Sequence, residues 1–359
     1  MARGQRVLAS AKNARRKRQG AKRGDGGLMR KAVLVGVLVV LGSAAFAQEG
    51  PITECDRLAG LVGLPRVEGA PGIYAIADPS AAVAACEAAR AAMPDDPMLA
   101  VLLGRAQLAA DSDAAEALET LTAVAEDAPA LVTGLLGQFY EQGVSGLPRS
   151  EASARDFYER ACDHWPDRAA APGCTGLALM RIEGRGGDAD ETGGFNLLNT
   201  LCASGWGNAC LHLALQDELR GESDARTLAG WLEAGCTAGD MLACTLLGFR
   251  HEFGDGVGHD PQRATDLYRR ACEAGEPQGC GSLGEVYRSG LGVAPDIEMA
   301  VRYFTLGCDG WDAYACAALG FLFADGRGVD TDPARARVAF DRACQMGDPE
   351  ACDMLLEMN

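Results

Sequence analysis

Fourteen cysteines and four histidines are among the residues of this 359-residue chain whose types allow covalent, metal or nucleophilic chemistry. The cysteines are Cys55, Cys86, Cys162, Cys174, Cys202, Cys210, Cys236, Cys244, Cys272, Cys280, Cys308, Cys316, Cys344 and Cys352. Metal ligation needs Cys-x-x-Cys or interleaved histidine spacings, and neither occurs. Instead the last ten cysteines form five pairs eight positions apart, and Cys272, Cys308 and Cys344 recur every 36 residues. Eight residues along one helix would separate the Cα atoms by about 12 Å, beyond the roughly 7 Å that a disulfide spans. A bridge inside each pair therefore requires a turn between its members. Ala274-Gly275-Glu276-Pro277, Asp309-Gly310 and Gly347-Asp348-Pro349 supply the residues for one. The expected bridges are Cys55–Cys86, Cys162–Cys174, Cys202–Cys210, Cys236–Cys244, Cys272–Cys280, Cys308–Cys316 and Cys344–Cys352. The first has no repeat to fix it.

The histidines do not assemble a catalytic pattern. His164, His212, His251 and His259 form no His-x-x-x-His or His-Glu-x-x-His pair. All four lysines (Lys12, Lys17, Lys22 and Lys31) lie near the N-terminus, so the remaining chain holds no Schiff-base, phosphate-loop or Ser-x-x-Lys lysine. Gly-x-Gly elements follow helical rather than strand patterns and lack the third glycine of a phosphate-binding fingerprint, so they read as turns. Asp188-Ala189-Asp190-Glu191 reads as solvated loop charge. No catalytic residue, metal site or cofactor is called for.

The elements that carry the cysteines repeat. Leu247, Leu283, Leu319 and Leu355 are 36 apart, and glycine follows the first three (Gly248, Gly284, Gly320). Seven residues after each of these three leucines begins Gly-x-Gly-Val: Gly254–Val257, Gly290–Val293 and Gly326–Val329. Asp260, Asp296 and Asp332 then stand at N-cap positions, and Tyr268, Phe304 and Phe340 follow at the same period with Ala264, Ala300 and Ala336 one turn earlier. Each unit reads as an αα-hairpin: a first helix ending at glycine, a loop with positive φ, and a capped second helix ending at a cysteine. The glycine beside each leucine leaves room for the neighbouring helix. Weaker copies begin near Leu136, Leu177 and Leu213, the last without the glycine loop. Pro97–Ala109 and Ala114–Val124 read as a helical pair without cysteines, Asp78–Ala92 as a lone second helix, and 48–77 as an irregular cap.

This pattern resembles the Sel-one-like subclass of tetratricopeptide repeats, and its eight-residue cysteine pairs resemble the cysteine-rich Hcp-type members. The match covers about residues 131–359. The resemblance implies an all-α right-handed superhelix that binds proteins or peptides. From some Hcp-type members it also implies slow β-lactam binding or hydrolysis, the alternative function in a different class.

Charge divides the chain. The net charge is −17, but residues 1–47 hold eleven Lys/Arg against Asp25 alone, leaving −27 for the remainder. An acidic body free of lysine excludes nucleic acid as a partner. Met29-Arg30-Lys31, the uncharged run from Ala32, and Ala45-Phe46-Ala47 have the form of a secretory signal peptide. Its sixteen uncharged residues fall short of the about 20 that span a bilayer, and the basic stretch before Met29 is an extended n-region or lies upstream of the native start. The domain reading is a signal peptide at 1–47, an N-terminal cap at 48–95, a TPR-like pair at 96–130 and about six repeats at 131–359. A periplasmic or secreted monomer, not inserted in the membrane after cleavage, is expected.

The partner surface is sought on the first helices, opposite the face marked by Leu283, Gly284 and Tyr287. There positions 282, 285 and 289 read Ser282, Glu285 and Ser289, expected to meet water. One repeat earlier they are Leu246, Phe249 and Phe253, and one later Ala318, Phe321 and Asp325. Leu246, Phe249, Phe253, Glu285 and Phe321 are thus the candidate partner-binding residues, with the alternative that the apolar ones pack on the preceding repeat.

Overall fold

The computed structural model describes residues 51–60, 76, 78–110, 114–143 and 147–358; the signal-peptide reading at 1–47 lies outside them. Among the described residues all regular structure is helical. The helices are α1 (Glu54–Ala59), α2 (Pro79–Ala92), α3 (Pro97–Ala109), α4 (Ala114–Thr122), α5 (Pro129–Gln142) and α6 (Glu151–Cys162). They continue as α7 (Ala171–Glu183), α8 (Glu191–Ala203), α9 (Gly207–Arg220), α10 (Ala225–Thr237), α11 (Met241–Phe253) and α12 (Pro261–Glu273). The last five are α13 (Pro277–Ser289), α14 (Ile297–Asp309), α15 (Ala313–Asp325), α16 (Pro333–Gln345) and α17 (Pro349–Glu357). From α3 onward they form antiparallel hairpins, and each hairpin stacks on the next. First helices also meet directly: α5 touches α7, α9 touches α11, α11 touches α13 and α13 touches α15. No helix among the described residues is long and apolar enough to cross a membrane.

The repeat glycines act as predicted. A Cβ on Gly248 would lie 2.5 Å from the Tyr268 ring, on Gly284 2.6 Å from Phe304, and on Gly320 2.5 Å from Phe340. Tyr268, Phe304 and Phe340 are fully buried at these points, so the missing methylene is what lets the second helix pack its ring on the first. Gly254, Gly290 and Gly326 end α11, α13 and α15 with positive φ. Asp260, Asp296 and Asp332 accept hydrogen bonds from the backbone amides three residues on, which caps α12, α14 and α16.

All seven bridges join the pairs named above, six of them between the end of a second helix and the next first helix. Cα separations of 4.4–4.7 Å show how the turn brings together residues that one continuous helix would hold apart.

Two local readings change and one is extended. The region 48–77 contains helix α1, capped by Thr53 and bridged through Cys55 to α2, so it is not irregular throughout. The turn expected at Asp309-Gly310 extends to Trp311, which carries the positive φ, 70°, while Gly310 has φ −82°. Ser282, expected in water, is buried, because α13 is covered on that side by its neighbours; its hydroxyl donates to the Gln278 carbonyl.

Candidate partner-binding groove

The repeat register exposes an unequal series at the residue preceding each first helix. Asp240, Glu276, Asp312 and Asp348, each 36 apart, cap α11, α13, α15 and α17 through their side chains. Upstream the slot holds Asp96, which caps α3, and then Ala128, Ala170 and Trp206, so that α5, α7 and α9 have no side-chain cap. The apolar replacements remove carboxylates from one part of an acidic molecule. That part contains a groove of about 410 Å³.

Four successive first helices build its floor. Val101 and Arg105 come from α3, Leu131, Leu135, Gln138 and Glu141 from α5, Pro172, Thr175 and Leu179 from α7, and Asn208 and His212 from α9. Arg168, Trp206 and Asp240 stand at the turns, and Tyr158 enters from α6. Apolar floor residues alternate with amide, hydroxyl and guanidinium groups, a lining suited to a chain with both side chains and a peptide backbone to satisfy. Gln138 is exposed, and Asn208 is half-buried with its amide 3.4 Å from Asp240.

Several groups are left with hydrogen-bonding capacity. Trp206 is 6% exposed, and its indole N–H finds no acceptor among the described residues. The Arg168 guanidinium lies over that ring at 5.6 Å and forms no ion pair among the described residues. Arg105 donates to the Ala59 and Gly60 carbonyls, and burial pulls its pKa down to about 10. At the other side Glu141 accepts from the Tyr158 hydroxyl at 2.7 Å and from Arg185 at 2.6 Å, so that carboxylate is already neutralised. Burial, the larger influence, and the adjacent Glu141 carboxylate push the Tyr158 hydroxyl pKa well up. Burial lowers the His212 pKa to about 4 despite the Glu183 and Glu141 charges, so at neutral pH it is an uncharged imidazole.

None of Leu246, Phe249, Phe253, Glu285 and Phe321 lines this groove. Phe249 and Phe321 are half-buried, edge-on to Tyr268 at 5.4 Å and to Phe340 at 5.0 Å. Glu285 accepts from Arg288 and from the Tyr314 hydroxyl, Leu246 is half-buried, and Phe253 is exposed. They do share register with the groove: Leu135, Gly176 and His212 precede Leu246 in its slot, and Gln138 and Leu179 precede Phe249. Trp206, Arg168 and Gln138 escaped the sequence reading. The signal for Trp206 was present, as the residue standing where the later copies place an acid.

Of the other histidines, His164 and His259 are exposed, and half-buried His251 sits with Nδ1 3.3 Å from the Gly258 carbonyl. Among the described residues no three His, Cys, Asp or Glu side chains are arranged to hold a metal ion.

The model of the family described as Sel1 repeat matches residues 135–164, 242–276, 277–310 and 313–348. The solved Sel1 repeat protein from Oxalobacter formigenes superposes with a TM-score of 0.52 at 18% identity, covering 68% of this chain and 96% of that one. The protective antigen c5321 of uropathogenic Escherichia coli, described as an SLR fold, gives a TM-score of 0.50 at 19% identity over 76% of this chain and 58% of its own. Cytochrome c oxidase assembly factor 7A of Xenopus laevis is 25% identical over 141 residues, 38% of this chain. The chain spans 61% of that relative's length. The Gly-x-Gly loops, the leucine–glycine packing and the matched segments coincide: the chain carries Sel1 repeats, and its hairpins form a Sel1-repeat solenoid stapled by disulfides.

Proposed function

We propose that the protein is an exported scaffold whose groove holds an extended segment of a protein partner in an adaptor or assembly role. The groove carries this reading: four first helices offer an apolar floor together with the uncommitted Trp206 N–H, Arg168 and Gln138. Side-chain pockets alternating with amides match the needs of a peptide, whose backbone brings donors and acceptors at every residue. An assembly factor among the relatives agrees in kind with that role. Fourteen cysteines paired as seven disulfides support a compartment outside the reducing cytosol, periplasmic or extracellular. The partner surface extends along the shared register to Leu246, Phe249, Phe253, Glu285 and Phe321.

A photo-crosslinking residue at Gln138, compared with one at exposed Arg226 on α10, tests the groove. Crosslinks to a defined partner from Gln138 and not from Arg226 are expected, with loss of capture in Arg168→Glu. Equal yields from both positions would remove the groove from the mechanism. Turnover of a chromogenic β-lactam that persists through repurification would replace the scaffold reading by hydrolysis.

A further inference from the structure

The repeats serve as internal controls for one another, and the hairpin containing α14 departs from them twice at the same edge. The residue that closes each turn into a first helix is glycine at Gly205, Gly239, Gly275 and Gly347, with φ between 84° and 93°. Its counterpart is Trp311, at φ 70°, a conformation in which Cβ crowds the following carbonyl oxygen. The indole is not held there by packing, since Trp311 is 55% exposed. The second departure is Leu306. In the two adjacent repeats its register mates are arginines that reach back to the preceding turn, Arg270 donating to the Cys236 carbonyl at 3.1 Å and Arg342 to Asp309 at 2.7 Å, while two copies further upstream place Thr200 and Ala234 there. Leucine makes no such bond and is 48% exposed.

A strained backbone bearing a large exposed aromatic, five residues from an apolar residue where the two adjacent repeats carry a charge, is costly to the fold and useful at an interface. Exposed carboxylates end the two second helices, Glu273 on α12 and, shared with Arg342, Asp309 on α14, and the chain beyond residue 47 is strongly acidic and free of lysine. We infer that Trp311 and Leu306 anchor a basic amphipathic segment of a partner protein, its apolar face on the indole and isobutyl groups and its cations on exposed Glu273 and, in exchange with Arg342, on Asp309. This edge lies apart from the groove residues, and the inference stands independently of the groove.

The test uses the full chain labelled with ¹⁵N and a synthetic amphipathic peptide of leucine and lysine, with its leucine–glutamate counterpart as control. The Trp311 indole resonance is identified by its loss in Trp311→Gly. Saturable shifts of that resonance and of the α14 backbone amides with the lysine peptide are expected, with the affinity read from the amides weakened at least tenfold by Trp311→Gly or Leu306→Arg and by added salt. Trp311→Gly should raise the melting temperature, because glycine adopts the turn without strain. A lowered melting temperature in both variants would make these side chains structural and overturn the proposal. So would equal binding of the glutamate peptide, or affinity unchanged in both variants. Loss of the shifts in Arg168→Ala would place the peptide in the groove instead. Self-association at Trp311 in sedimentation, or its insertion into phosphatidylcholine vesicles, in the absence of peptide shifts would assign the patch to another occupant and overturn it as stated.

Discussion

Glu276 and His212 are titratable groups that burial displaces in opposite directions. Glu276 is 3% exposed, accepts from Thr245 at 2.6 Å and from the Gly279 and Gln278 amides, and faces the Asp312 carboxylate. Burial outweighs those hydrogen bonds and raises its pKa from 4.5 to about 7. The folded state therefore holds a proton that the unfolded chain releases, and this contribution to stability is lost as pH rises from about 4.5 through about 7. His212 has the reverse sign. Its pKa falls from 6.5 to about 4, so the unfolded state takes the proton first and stability is lost as pH falls through that window. Thermal unfolding across pH 4–8 checks both. Glu276→Gln should close its gap with the wild type toward pH 5 and gain relative to it toward pH 8. Parallel pH curves for the two proteins would contradict the burial argument.

At the scale of helices, the contacts that set hairpin geometry are made by absent atoms. Gly284→Ala would drive Cβ into the Phe304 ring, and overpacking of this kind costs about 1–3 kcal/mol. Gly230 on α10 has nothing within 4 Å of the point a Cβ would occupy, so Gly230→Ala should stabilise by about 0.5–1 kcal/mol through helix propensity alone. Denaturant titrations of the two variants separate packing from propensity; similar destabilisation in both would show that the glycine slot is not special. The short disulfide loops act at the same scale. Cys308→Ser with Cys316→Ser should cost about 2–3 kcal/mol on the chain-entropy account. Urea melts of that double variant would show it, and a loss below about 0.5 kcal/mol would mean that packing between α14 and α15 already holds the turn.

Over the whole molecule, stability accumulates between neighbours, since each hairpin touches chiefly the one before and the one after. Removing a staple inside the array should therefore disturb two interfaces, whereas loss of Cys55–Cys86 at α1 disturbs one. Hydrogen exchange can check this: Cys272→Ser with Cys280→Ser should speed amide exchange in α11 to α15, while Cys55→Ser with Cys86→Ser should leave α11 to α15 unchanged. The apolar stripe on the later first helices belongs to this scale too. Phe249→Ser together with Phe321→Ser should reduce partner capture with a small change in melting temperature if these rings serve the partner surface. A cooperative loss of fold would assign them to the edge contacts with Tyr268 and Phe340.

The repeat was legible before any coordinates because it rests on local rules. Asp260, Asp296 and Asp332 are caps wherever they precede a helix, Gly254, Gly290 and Gly326 permit positive φ, and cysteines eight apart can meet only across a turn. Those constraints act over a few residues, and the 36-residue period multiplies them into a fold. The groove was not legible in that way. Leu135, Gly176 and His212 occupy the slot of Leu246 and Ser282, yet which copies open into a groove depends on how helices from four hairpins stack, on Trp206 and the alanines replacing the acidic caps, and on Tyr158 reaching across from a second helix. Ser282 shows the same limit, buried by neighbours that its own helix period does not reveal. Local chemistry determined the hairpins and the pairing of the cysteines eight apart. The stacking of one hairpin on the next decided which faces meet water, because burial is a property of all the surrounding elements together.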